Sequence, residues 1–198
     1  MDDDGDIYAP GVALIVVDLQ NDFADPGGSL YVRGGEEVVP ISNAQIRRAR
    51  DAGAIVVYTQ DWHPQHTPHF AEDGGTWPVH CVAGTWGAEF VPELVVEGPV
   101  VHKGTGGEDG YSGFSVRDVE TGMTSSTELA QLLSAAHVHA IVICGLTTDY
   151  CVKETALDAI HLGYGVGVVR NGVRAVNLHL GDGERALEAM RTAGVSYR

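Results

Sequence analysis

The chain has 198 residues, 44% of them hydrophobic, and carries 12 Lys and Arg against 27 Asp and Glu for a formal net charge of −15 at pH 7. That length supports one domain around one good core, and the acidity argues against nucleic acid or an anionic membrane as the natural partner. No apolar run reaches the length of a membrane span, and Cys81, Cys144 and Cys151 show no C-x-x-C spacing that would suggest a disulfide framework. The acidic start, Met1-Asp2-Asp3-Asp4-Gly5-Asp6, lacks the basic and apolar regions of a signal peptide. The expectation is a cytoplasmic protein with a flexible acidic leader at residues 1–10 and a single domain at 11–198.

In chain order, Val12 to Val17 is a continuous apolar run of strand length, as in a parallel sheet buried on both faces. It stops at Asp18. Loop residues follow, then a helical pattern from about Val38 to Ala52 closed by Gly53, and a second strand over Ile55 to Tyr58. Asp61 to about Pro92 carries Gly, Pro, His and Trp without a sustained period, and a loop that long in a compact domain is usually functional. A short strand, Val100 to His102, ends at Lys103, and the glycine-rich stretch Gly104 to Thr124 reads as irregular. The remainder alternates helix (about Ser126 to Ala136), strand (Ala140 to Cys144), helix (about Asp149 to Leu162), strand (Gly165 to Val169), helix (about Asp182 to Ala193) and a last strand near Val195. Alternation of this kind is α/β with a mainly parallel sheet.

Ligands of such sheets bind outside the carboxyl ends of the strands. Asp18, Asp61, Lys103 and the turn leading to Cys151 all follow strand ends, which points to one shared crevice. Cys151 opens a helical pattern, where free N–H groups and the helix dipole favour an anion, so its thiol is expected to ionise more readily than a free cysteine. The competing assignment is a small buried hydrophobe. Asp18, otherwise a helix cap or loop acid, could take and return a thiol proton. Lys103 is one of two lysines beside ten arginines, and a compact ammonium can hold a carboxylate and a thiolate anionic together. Asp61 and His63, at spacing two, lie on the same side of an extended chain, and His66, His69 and His80 follow. Carboxylate plus imidazoles suits one divalent ion, Zn²⁺, Fe²⁺ or Mn²⁺. His102, His137, His139, His161 and His179 read as surface or packing residues.

These stretches resemble the nicotinamidases, or pyrazinamidases, of the isochorismatase-like cysteine hydrolases. The matching pieces are Val17-Asp18-Leu19-Gln20-Asn21-Asp22-Phe23, Gln60-Asp61-Trp62-His63-Pro64 with Pro68-His69-Phe70, and Trp77-Pro78-Val79-His80-Cys81-Val82 with Gly84-Thr85. They continue with His102-Lys103-Gly104, Tyr111-Ser112-Gly113-Phe114 and Cys144-Gly145-Leu146-Thr147-Thr148-Asp149-Tyr150-Cys151-Val152, in family order from about residue 11 to the C-terminus. The resemblance implies a three-layer α/β/α fold with a six-stranded parallel sheet of order 3-2-1-4-5-6. It also implies a catalytic triad of Asp18, Lys103 and Cys151, and a metal held by Asp61, His63, His69 and His80, with His66 a decoy. A cis peptide would join Leu146 to Thr147, the backbone N–H groups of Thr147 and Cys151 would hold an oxyanion, and Phe23 and Trp77 would flank an aromatic substrate unless they serve the core.

The implied activity is hydrolysis of a small aromatic amide, nicotinamide to nicotinate and ammonia, with pyrazinamide as a further substrate. Two alternatives stand beside it: a hydrolase of the same fold acting on a carbamoyl or other small amide, and a metal-binding or redox-sensing module without turnover. Asp149 is expected to cap a helix, and a homo-oligomer stays open.

Overall fold

The computed structural model describes residues 7–198. Of the expected acidic leader, residues 1–6 lie outside the described residues, while Tyr8 is buried in the core and its hydroxyl donates to Gln45 Oε1 at 2.9 Å. The elements are β1 (Val12–Val17), α1 (Asn21–Ala24), α2 (Val38–Asp51), β2 (Ile55–Asp61), β3 (Val100–Lys103), β4 (Ser115–Arg117), β5 (Thr124–Ser126), α3 (Leu129–Ala135), β6 (Ala140–Leu146), α4 (Lys153–His161), β7 (Gly165–Arg174), α5 (Asp182–Thr192) and β8 (Ser196–Tyr197). Six strands form one sheet in the order β3-β2-β1-β6-β7-β8, every neighbouring pair parallel. Counted among themselves, these strands have the order 3-2-1-4-5-6 that the resemblance implies.

The apolar run of β1 explains the layering. Its alternate residues Leu14 and Val16 pack with Val38, Val39, Ile46 and Ala49 of α2 on one face. Ala13, Ile15 and Val17 pack on the other with Leu129 and Leu133 of α3, Ala156 and Ala159 of α4, and Leu187 and Met190 of α5. A strand covered on both sides has no polar face, so its sequence is continuous and not alternating. Each fully buried side chain such as Leu14 or Ile15 contributes roughly 2 kcal/mol of hydrophobic stabilisation.

Three features depart from the sequence expectation. β7 continues past Val169 through the polar Arg170-Asn171 to Arg174, because its pairing with β6 shifts register between Ile143 and Gly145 and resumes at Val173. The stretch expected to be irregular contains the antiparallel hairpin β4–β5, whose three-residue strands are too short and too rich in serine to show a period. The helix after β6 starts as a wide π-type turn over Thr148–Val152 before α4 proper.

Among the described residues no helix is long and apolar enough to cross a membrane. Cys81, Cys144 and Cys151 are all free and buried.

Candidate active site

Parallel pairing sets the ends of the central strands side by side. Val17 of β1 pairs with Thr59 of β2 and Gly145 of β6, and Asp61 of β2 pairs with Lys103 of β3. Gly145 has φ 118°, and a Cβ there would meet the Val17 carbonyl oxygen at 2.0 Å, so only glycine allows the two strands this approach. Just beyond these ends lie Asp18, itself at φ 47°, and the turn carrying Cys151.

Asp18 and Lys103 are fully buried. The Lys103 ammonium sits 2.8 Å from Asp18 Oδ2 and 2.7 Å from Asp61 Oδ1, and it also donates to the Gly110 carbonyl. Thr59 Oγ1 donates to the second oxygen of Asp18 at 2.6 Å. Burial by itself would discharge Lys103, yet the two carboxylates outweigh it and hold the amine charged, its pKa well above the ordinary value. Asp61 feels the same contest, and Lys103 and His63 hold its carboxyl well below the usual carboxylate range.

Cys151 completes this group: one donor atom from each of Asp18, Asp61 and Cys151 lies within 4.8 Å of the others. The expectation of an easily ionised thiol is corrected here. Cys151 lies inside the π-type turn, and burial pushes its thiol well above the ordinary value, with Lys103 offsetting this and Asp18 and Asp61 adding to it. Asp18 itself has a raised pKa, first by burial. At rest the sulfur is therefore held as a thiol.

The second group begins on the other oxygen of Asp61, 3.8 Å from His63 Nε2. Ring nitrogens of His63, His69 and His80 lie within 4.8 Å of one another, and all three side chains are buried. Among the described residues neither ring nitrogen of His63 has a hydrogen-bond partner, a cost that a bound ion would relieve. His69 and His80 each engage Nδ1, with Asp109 Oδ1 at 2.5 Å and the Pro78 carbonyl at 2.7 Å, which leaves Nε2 for a ligand. Burial lowers His80 to about 4, so its imidazole is in the neutral, ligating form at neutral pH. These residues fit a divalent metal ion. His66 stands apart with a side chain 72% exposed, 3.4 Å from Asp73.

Between the groups opens a cleft lined by Phe23, Leu30, Asp61, His69, Trp77, His80, Gly110, Tyr111, Thr147, Tyr150, Cys151 and Val176. All the residues expected at the site except His63, Asp18 and Lys103 line it directly, and those three stand behind the lining. The peptide between Leu146 and Thr147 is cis. The N–H groups of Tyr150 and Val152 donate to the Thr147 carbonyl at 3.2 and 3.0 Å.

Sequence reasoning missed several contributors. Tyr111 accepts a 2.7 Å hydrogen bond from Trp77 Nε1, and Tyr150 packs edge-on against the Trp77 ring at 4.8 Å. Gln20 holds Asp61 in place: its amide donates to the Asp61 carbonyl at 2.7 Å, and its side-chain oxygen accepts from the Asp61 N–H at 2.8 Å. Asp149 is not a helix cap. Its carboxylate accepts from the N–H groups of Val176 and Asn177 at 3.0 and 2.8 Å and so pins the loop after β7 beside the cleft. Gln20, Tyr111, Asp149 and Tyr150 all lay within stretches quoted for the resemblance, but nothing local marked Asp149 as a staple or Gln20 as a clamp on Asp61.

The chain is similar to known proteins over most of its length. The model of the Isochorismatase domain matches residues 12–196. The chain is 37% identical to a nicotinamidase of Escherichia coli over 94% of each chain. A solved pyrazinamidase of Pyrococcus horikoshii in complex with zinc is 42% identical and superposes with a TM-score of 0.84, covering 96% of this chain and 99% of that one. The L. infantum PnC1 solved in complex with nicotinate is 34% identical with a TM-score of 0.87, over 97% and 95% of the two chains.

Proposed function

Because the chain belongs to the isochorismatase family, we propose that it is a cysteine amidohydrolase of the nicotinamidase kind, converting nicotinamide to nicotinate and ammonia and pyrazinamide to pyrazinoate. The observation that carries this reading is the buried Lys103 ammonium set between Asp18 and Asp61, with the Cys151 sulfur within 4.8 Å of an oxygen of each carboxylate. A thiol placed beside a base, at the floor of an aromatic cleft, is the arrangement that covalent amide hydrolysis requires.

Asp18 takes the Cys151 proton as the sulfur attacks the carboxamide carbon, and the Lys103 ammonium balances the negative charge that passes from Asp18 to the sulfur. The N–H groups of Thr147 and Cys151 receive the oxyanion, a contact worth about 3 kcal/mol per donor in other enzymes. The C–N bond then breaks, Asp18 returns its proton to the leaving nitrogen, and ammonia departs from a thioester on Cys151. Water attacks the thioester carbonyl with Asp18 again as base, which releases the carboxylate product and restores the thiol. Phe23 and Trp77, 3% and 5% exposed, flank the planar ring and fix its approach.

Asp61, His63, His69 and His80 would hold the divalent ion, and zinc, iron and manganese all suit that donor set. When bound, the ion supplies a Lewis-acidic anchor for the ring nitrogen of the substrate. Placement in the cytoplasm fits the three free cysteines, and residues 11–198 act as one hydrolase domain.

Ammonia release from nicotinamide, pyrazinamide and N-carbamoyl compounds, measured in parallel with metal analysis of the same sample, tests the proposal. The expected result is turnover of the two aromatic amides with one divalent ion per chain. Turnover of the carbamoyl compounds alone would overturn the substrate assignment.

A further inference from the structure

The segment between β3 and β4 touches both halves of the site at consecutive residues. Gly110 turns its carbonyl to the Lys103 ammonium, while Asp109 puts its carboxylate 2.5 Å from Nδ1 of His69. A Cβ on Gly110 would lie 2.9 Å from the Lys103 Cβ and 3.3 Å from Asp61 Oδ1, so the backbone passes here as closely as it can. The unexpected hairpin fixes this segment: Asp109 and Arg117 exchange backbone hydrogen bonds of 2.8 and 2.9 Å. A further tie links it to the histidine loop, where Thr67 Oγ1 donates to the Gly107 carbonyl at 2.6 Å and accepts from the His69 N–H at 3.1 Å.

We propose that Asp109 is a positioning residue that orients the His69 ring for metal binding, an inference that rests on the metal-site reading above. The three histidines are held differently. His80 is steered by a backbone carbonyl, His63 by packing alone, and His69 by a carboxylate brought from forty residues away. A charged acceptor on Nδ1 keeps the proton there, fixes Nε2 as the free nitrogen, and makes that nitrogen a stronger donor to a cation. The backbone pairing with Arg117 holds residue 109 whatever its side chain, so substitution removes the carboxylate and leaves the segment in place.

Competition with a chromogenic chelator for Zn²⁺, run on the full-length wild type, Asp109→Ala, Asp109→Asn, His69→Ala and the His69→Ala/Asp109→Ala pair, tests this. Loss of an outer carboxylate of this kind costs about 10- to 100-fold in metal affinity, and that loss is expected for Asp109→Ala, with a smaller one for Asp109→Asn, which keeps an acceptor. In the His69→Ala background the second substitution should change zinc affinity less than about twofold, the non-additivity expected of a pair that acts as one unit. Added zinc should restore most of the amidase activity of Asp109→Ala. Wild-type zinc affinity in Asp109→Ala overturns the inference, as does an equal loss in the His69→Ala background. A wild type that binds no zinc overturns the metal reading itself and this inference with it, whereas normal wild-type binding with an unaffected Asp109→Ala overturns this inference alone.

Discussion

The Asp18–Lys103–Cys151 half of the cleft is electrically closed, whereas the histidine half is left open. Lys103 meets three oxygen atoms, from Asp18, Asp61 and Gly110, and Asp18 has partners on both carboxylate oxygens. His63, equally buried, has none on either ring nitrogen. The first half is made by strand ends held in register by the sheet; the second comes from the long loop after β2, which closes on itself through short-range hydrogen bonds such as His63 N–H to the Cys81 carbonyl at 3.0 Å. The difference teaches a division of labour. Asp18 and Lys103 are satisfied by protein partners, while each of the three histidines keeps at least one ring nitrogen without one among the described residues. Asp61 belongs to both, with one oxygen on each side.

The comparison can be broken most severely at the sulfur. Cys151→Ala should lower turnover by about 10⁴-fold or more, since removing a nucleophile removes the covalent route, while metal content stays at the wild-type level. Metal loss in this variant would show that the halves are not separable. Lys103→Met tests the closed half as a structural unit. It strands two carboxylates in the interior, and breaking a buried pair of this kind costs about 3–5 kcal/mol, to be read as a lowered urea midpoint; a midpoint unchanged from wild type would mean that the ammonium is not what holds the carboxylates together.

Removing the metal with a chelator addresses the open half. Turnover should fall and the substrate KM rise, while cooperative unfolding persists, because none of Asp61, His63, His69 and His80 belongs to either core cluster. The stability lost is then only the binding linkage, about 3 kcal/mol when the ion had been present at a hundred times its Kd. Loss of the cooperative transition on chelation would show that the histidine loop carries the fold. The smallest effect is expected at His66. His66→Ala should leave turnover and metal content within twofold of wild type, roughly as for other surface substitutions, and a drop in metal content would move His66 into the binding set.

Legibility along the chain followed the range of the interaction. The apolar run Val12–Val17, the strand ends at Asp61 and Lys103, and the spacing of Asp61 and His63 are local patterns, and each led to its place in the cleft. Ser115–Arg117 and Thr124–Ser126 form a hairpin through pairing partners that their own composition does not advertise. Asp149 looked like a cap because a carboxylate at a helix start has that role in most local settings; its partners, Val176 and Asn177, lie beyond a helix and a strand. Asp109 was indistinguishable from any loop acid until the fold brought it to His69.

Cys151 shows where the boundary falls. Sequence by itself determined that a cysteine follows a buried strand and a short polar turn, that Asp18 and Lys103 stand at strand ends, and that the family's motifs run in order. Tertiary structure decided the state of the thiol. Position near a helix start favours the thiolate through a dipole that acts over one turn, but the protonation balance sums every charge and all the lost solvent around the sulfur. Burial dominates that sum, and its effect on Cys151 is upward. Periodicity and spacing record which way a side chain points along its own element; which carboxylate, ammonium or ring it meets is settled only when distant segments pack and water leaves.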